Sequence, residues 1–207
     1  MDKKYNMSFT TGGLFYAESL KALEVYQKEQ DWSETRKRIL TENLIQARTQ
    51  STATRRVREI CFRLEKLTDQ QLQLLATGAA QEQLCLLWVA VCKHHLLISD
   101  FVIKVLREKF FRMDLLLEPA DYDIFFQEMA EWHNELEQLT DSTKAKLRQV
   151  LFKIMREAEI LSKANMIIPG LLTQELALVL AEDNPVWLTV LPVSDADIKG
   201  WLEHGPR

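Results

Sequence analysis

Cysteine is scarce in this chain: three in 207 residues, Cys61, Cys85 and Cys92, each inside an apolar helical pattern and without the spacing of a disulfide framework. That excludes a small disulfide-stapled scaffold and fits a reducing cytoplasm, the expected location. Long apolar runs are also missing. The longest unbroken one, Leu84 to Val91 closed by Cys92, falls far short of the roughly 20 residues that cross a bilayer, so it reads as a buried core helix and no membrane is expected as a partner. Met1 to Tyr5 leads into no apolar h-region, so no secretory signal is expected.

Catalytic signatures are absent too. The sequence holds no G-x-G-x-x-G, P-loop, G-x-S-x-G or H-E-x-x-H, and Gly12-Gly13 alone does not make a phosphate loop. His94-His95 follows Cys92, with Cys85 two turns earlier, but no close-spaced C-x-x-C or H-x-x-x-H accompanies them, and both cysteines fit apolar packing. Glu128, Glu131 and Glu135 share a helix face and read as a solvated acidic surface or a docking patch for a basic partner protein. The expectation is a protein that is not an enzyme, with no cofactor and no metal.

What the chain does have is uneven charge. Its formal net charge is only −4, yet from Arg36 to Lys66 nine basic residues face three acidic ones, Glu42, Glu59 and Glu65, for a local +6. From Asp114 to Asp141 nine acidic residues stand without a single lysine or arginine. Screening confines charge interactions to roughly 8–10 Å, so an approaching polyanion feels the local block rather than the net value. Nucleic acid is therefore the leading partner class.

Hydrophobic periodicity is helical throughout and predicts an all-α globular fold. A first helix is expected from about Gly13 to Glu29, with Thr10 or Thr11 near its cap and Leu14, Ala17, Leu20 and Leu23 inward. Asp31-Trp32-Ser33-Glu34 has capping-box spacing and opens a second helix carrying Arg36, Lys37 and Arg38. A third follows Gln50-Ser51-Thr52 with an apolar stripe of Val57, Ile60, Cys61, Leu64 and Leu67. A fourth opens at the capping box Thr68 to Gln71 and stops at Gly78; a fifth, about Ala80 to His95, is apolar nearly all round. Ser99-Asp100 starts a helix to about Arg112, Pro119 suits the first turn of an acidic helix, and Asp141-Ser142 caps a helix with Leu147, Val150, Leu151, Ile154 and Ala158 on one face. Residues 160–168, ahead of Pro169-Gly170, read as one small β-hairpin, giving a winged-helix outline; an irregular loop fits the same spacing. Thr173 caps a further helix to about Ala181, and Pro185, Pro192 and Ser194-Asp195 break the tail into turns and a last helix. The whole reads as one compact helical domain, with a basic helix-turn-helix-like lobe over 1–78, a core helix and acidic helices over 79–141, and a winged-helix-like lobe and tail over 142–207.

On the third helix the stripe points one way while Arg55, Arg58 and Lys66 point the other, with Arg56 and Arg63 on a flank and Phe62 among the charges. Long basic side chains reach phosphates, and an interleaved aromatic can pack on sugar or base. The segment with Gln46, Arg48, Thr49, Gln50, Ser51 and Thr52 joins the second helix to the third, and its small hydroxyls at the helix start suit a phosphate at the positive end of a helix dipole. Gln46, Gln50 and Thr54 are candidates to meet base edges. Lys144, Lys146, Arg148, Lys153 and Arg156 form a second basic face, again with an aromatic, Phe152, opposite the apolar stripe. The opposing reading is a pair of solvated helices whose arginines balance the acidic block.

Four stretches together resemble the BrxA family of bacterial BREX (bacteriophage exclusion) systems: Met7 to Leu14, Glu42 to Thr49, Leu139 to Lys144 with Leu147 to Phe152, and Pro192 to Ile198. They spread over nearly the whole chain. The resemblance implies a cytoplasmic, largely helical, DNA-binding accessory protein of phage defence that works beside other BREX components. The family has also been likened to the NusB antitermination fold, which would favour RNA. Glu159 stands at a helix exit where a glycine closes the helix more easily. The expected ligand is double-stranded DNA, bound by a monomer; an RNA-binding antitermination-like protein and a protein–protein adaptor are the rivals.

Overall fold

The structure is a computed structural model and describes residues 4–203, excluding the side chains of Thr10 and Thr11. Among these residues it is all-α, with no β-strand. The chain divides into two compact units: Leu14–His94, and the N-terminal segment up to Gly13 together with everything from His95 onward.

The first unit holds five helices: α1 Tyr16–Glu29, α2 Trp32–Thr41, α3 Gln50–Leu64, α4 Asp69–Thr77 and α5 Ala80–His94. Local signals fix several boundaries where the sequence predicts them. The Asp31 carboxylate accepts the Glu34 amide at 2.8 Å and caps α2. Thr68 and Gln71 form the reciprocal capping box that opens α4. That helix ends at Gly78, whose backbone is not left-handed; a Cβ there would lie 2.6 Å from the Leu74 carbonyl oxygen, so space rather than φ demands glycine. The start of α1 departs from expectation. Phe15 takes a left-handed conformation (φ 58°) as its N-cap, and the helix begins at Tyr16 rather than near Gly13. Leu14 and Leu23 are buried as expected, joined by Ser19, Ala22 and Val25, while Leu20 is half-buried and Ala17 is exposed.

At the centre of this unit α5 is buried without a break from Cys85 to Cys92, with Trp88 fully enclosed. Helix α3 packs against α1, α2 and α5. Its buried stripe, Val57, Ile60, Cys61 and Leu64, is the one the sequence predicts.

The second unit contains α6 Leu96–Phe101, continued through a π-helical turn Val102–Leu106 into α7 Arg107–Phe111, then α8 Pro119–Ala130, α9 Asn134–Glu137, α10 Asp141–Glu157, α11 Gln174–Asp183 and α12 Asp195–Glu203. The expected start at Ser99-Asp100 is corrected to Leu96: no side chain caps it, and burial of Leu97, Ile98 and Ser99 carries the helix through that point. Thr140, one residue earlier than expected, caps α10 by accepting the Thr143 amide at 3.3 Å. The N-terminal segment is threaded into this unit. Tyr5 donates its hydroxyl to Asp100 at 2.6 Å and its amide to Glu135 at 2.8 Å, and Phe9 meets the His95 ring edge-on at 5.0 Å.

Helix α10 closes with a Schellman arrangement. Ile160 donates its amide to the Met155 carbonyl at 2.9 Å and Glu159 donates to Arg156 at 3.2 Å, with Glu159 left-handed at φ 57°. The chain then turns back, but the expected hairpin amounts to one isolated antiparallel bridge, Leu161 to Ile167. Its outer arm is covered by a second bridge, Met166 to Leu116.

Candidate nucleic-acid interface

The basic residues of the first unit separate into three environments. Arg63 is buried, 3% exposed, and its Nε donates to Glu59 Oε1 at 2.9 Å one turn away on α3. Its guanidinium also lies over the Phe15 ring, 5.6 Å from the centroid. The sequence places Arg63 on a flank of the binding face; the structure places it inside, because the turn Glu59–Arg63 lies where α3 packs against α1 and α5.

A second group faces solvent with its charge matched. Arg36 is ion-paired with Glu65 and lies 5.5 Å over the Phe62 ring, so that aromatic is half-covered by an arginine of α2. Arg38 reaches Glu29 at 2.5 Å and Glu42 at 3.1 Å, and these two carboxylates push its pKa above the ordinary guanidinium value. Arg56 sits 3.8 Å from Glu18 and 5.8 Å over Phe15. Lys37 meets Glu34 at 3.2 Å with both side chains mostly in water. Sequence reasoning missed Glu18, Glu29 and Glu34 as partners. They precede the basic block in the chain, and the only signal was that Glu29, Asp31 and Glu34 flank its N-terminal edge.

The third group is exposed and has no carboxylate partner among the described residues: Arg48, Arg55, Arg58 and Lys66. Arg55 and Arg58 lie one turn apart on the outward side of α3, with Ser51 one turn before them and Lys66 just past the helix end. Thr49 caps α3, its hydroxyl oxygen accepting the Thr52 amide at 3.3 Å and donating to the Thr52 hydroxyl at 2.8 Å. Thr54 donates its hydroxyl to the Gln50 carbonyl at 2.9 Å, leaving its lone pairs outward. Gln46 and Gln50 are exposed beside them. The α2–α3 connection runs from Glu42 to Thr49 with left-handed residues at Asn43 (φ 45°) and Gln46 (φ 49°). It is longer than the helix-turn-helix turn of roughly 3–4 residues.

The second basic face is largely occupied. On α10, Arg148 is paired with Asp123, Lys153 with Glu157 at 3.5 Å, and Arg156 donates to the Asn165 side chain at 2.8 Å. Lys144 lies 3.9 Å from Asp141 and 5.9 Å over the Phe126 ring. Lys146 is exposed and donates to Gln149 at 2.9 Å. Phe152, expected opposite the stripe, is buried at 5% exposure because α10 packs widely against α8 and the turn Ser8–Thr11.

No cysteine is poised for chemistry. All three are buried, and burial pushes the Cys61 thiol up to about 12 and Cys92 well above its usual value. Among the described residues no single helix is long and apolar enough to cross a membrane.

Comparison with known proteins matches this chain to a family. A "BREX protein BrxA" of Bacillus cereus is 24% identical over 157 residues, 76% of this chain and 78% of that protein. Its namesake in Escherichia coli is 27% identical over 157 residues, covering 76% and 74%. The crystal structure of an uncharacterized protein from Magnetospirillum magneticum superposes with a TM-score of 0.76 over 92% of this chain and 98% of that one, at 22% identity, which shows a shared fold. The BrxA family model matches residues 3–184, nearly the whole chain, and the protein accordingly belongs to the BrxA family.

Proposed function

We propose that this protein is a non-enzymatic, cytoplasmic double-stranded DNA-binding component of a BREX phage-defence system. The observation that carries the reading is the set Arg48, Arg55, Arg58 and Lys66, exposed on and around one helix with no carboxylate neutralising them among the described residues. A guanidinium in water with no partner is ready to exchange its counterions for a phosphate, and that release is what drives binding to a polyanion. The hydroxyls of Thr49 and Ser51 and the positive end of the α3 dipole suit a phosphate at the helix start. The solvated pair Lys37–Glu34 costs little to break, since such pairs contribute about 0–1 kcal/mol, so Lys37 is available as a further cation.

Phosphate contacts set orientation and carry no sequence information; Gln46, Gln50 and Thr54, exposed beside the cations, are the candidates to read base edges. Face α10 contributes less, with Lys146 its most available cation. The test is fluorescence anisotropy of a labelled duplex over a salt series. Four neutralised phosphates correspond to a slope of log affinity against log salt of roughly −3 to −4. A flat salt response overturns the reading, and preferential competition by structured RNA over duplex DNA reassigns the surface to RNA.

A further inference from the structure

The second unit exposes two large apolar side chains that the DNA reading does not use. Ile124 on α8 is 58% exposed, and Trp132, in the turn after that helix, is 77% exposed. They stand eight positions apart, so Ile124, Glu128 and Glu131 follow one another along one side of α8 and lead to the indole. Trp132 also lines a cleft of about 350 Å³ with His133, Asn134, Glu135, Gln138 and Lys4. An indole so open to water is unusual on a surface with no role, because tryptophan is the residue most enriched where interfaces concentrate their binding energy.

Charge identifies the occupant. Glu128, Glu131 and Glu137 are exposed and have no cationic partner among the described residues, whereas Asp114, Asp121 and Asp123 in the same acidic stretch are matched by Lys109 and Arg148. Of the exposed carboxylates without a cation, Glu118 caps the far end of α8, whereas Glu131 directly precedes Trp132 in the chain and Glu128 stands one turn earlier. They repel nucleic acid and attract a cation, and the face of an indole is the best aromatic receptor for a guanidinium or ammonium. We propose that the α8 face from Ile124 to Trp132 is a docking surface for a basic amphipathic segment of a partner protein. Apolar side chains of that segment cover Ile124, and an arginine or lysine lies over Trp132 within reach of Glu128 and Glu131.

The test uses the full chain and a fluorescein-labelled helical peptide that presents leucine and arginine on one side, with its glutamate-for-arginine twin as control. Wild type binds the basic peptide and not the twin, with affinity that falls as salt rises. Trp132→Ala and Glu128→Gln/Glu131→Gln each weaken binding by at least about tenfold, while circular dichroism and duplex-DNA affinity stay unchanged. Equal binding of both peptides, or no loss in Trp132→Ala, overturns the proposal. So does a concentration-dependent dimer of the protein alone that Trp132→Ala abolishes, since the face would then belong to a second copy.

Discussion

Glu59 and Arg63 lie one turn apart on α3 as a buried ion pair, Nε to Oε1 at 2.9 Å, on the same helix that shows Arg55 and Arg58 to water. One helix thus holds structural and exposed arginines, and mutation should separate them. Arg63→Ala takes the guanidinium away from the buried Glu59 carboxylate, and breaking a buried pair costs about 3–5 kcal/mol. Thermal unfolding of Arg63→Ala is expected to drop steeply, and an unchanged midpoint would show that Glu59 finds another partner.

The exposed pair behaves oppositely. Arg55→Glu/Arg58→Glu should leave the unfolding stability within about 0.5 kcal/mol of wild type, as surface changes usually do, while duplex-DNA affinity falls and the salt slope shallows by roughly two. Arg36→Gln/Arg38→Gln, which removes cations already matched by Glu65, Glu29 and Glu42, should weaken binding less. The ordering of the two double variants in one anisotropy series is the measurement; the reverse ordering would move the contact to α2.

Glu159 occupies a left-handed backbone position, φ 57°, at the exit of α10. An L-residue there bears about 1–2 kcal/mol of strain, part of which glycine returns as extra unfolded-state entropy. Glu159→Gly is therefore expected to stabilise by about 0.5–1 kcal/mol and to raise the midpoint by about 1–4 °C. A lower midpoint in differential scanning calorimetry would mean that the Glu159 side chain contributes more than its backbone costs.

Acid should loosen the N-terminal segment. The Tyr5 amide, and to a lesser degree His133, hold the Glu135 carboxyl below its usual pKa. A group depressed in the folded state adds stability that is complete above its unfolded value, about 4.3, and is lost as pH falls through the lower folded value. Glu135→Gln keeps the acceptor and removes the charge. Its midpoint should lie below wild type at neutral pH and converge with it well below pH 4.3; a gap that persists in acid would assign the effect to shape rather than ionisation.

The thiols offer a check on the core. With Cys61, Cys85 and Cys92 all buried, a disulfide-exchange reagent at mildly alkaline pH should react with none of them in the folded protein and with all three after denaturation. Fast labelling of any one in the native state would place that helix closer to solvent than described here.

Much of the fold was legible in the sequence, and the reason is local. A cap joins atoms a few residues apart, so Asp31, Thr68 and Thr173 announce their helices, and Pro119 marks the first turn of α8. The stripe Val57, Ile60, Cys61 and Leu64 follows from helix geometry alone. Where a boundary was misplaced, as at Leu96, burial of apolar side chains outweighed the local signal.

The candidate interface was legible only in part. Periodicity and charge order along the chain were enough for an all-α fold with cations gathered on its second and third helices. They could not determine which of those cations remain unmatched, because Glu18 and Glu29 come from α1, and Asp123 meets Arg148 from α8. Those carboxylates lie nine to thirty-eight positions away from their partners in the chain. Counting charge along the chain treats neighbours in sequence as neighbours in space, whereas these three pairs form only once two helices have packed.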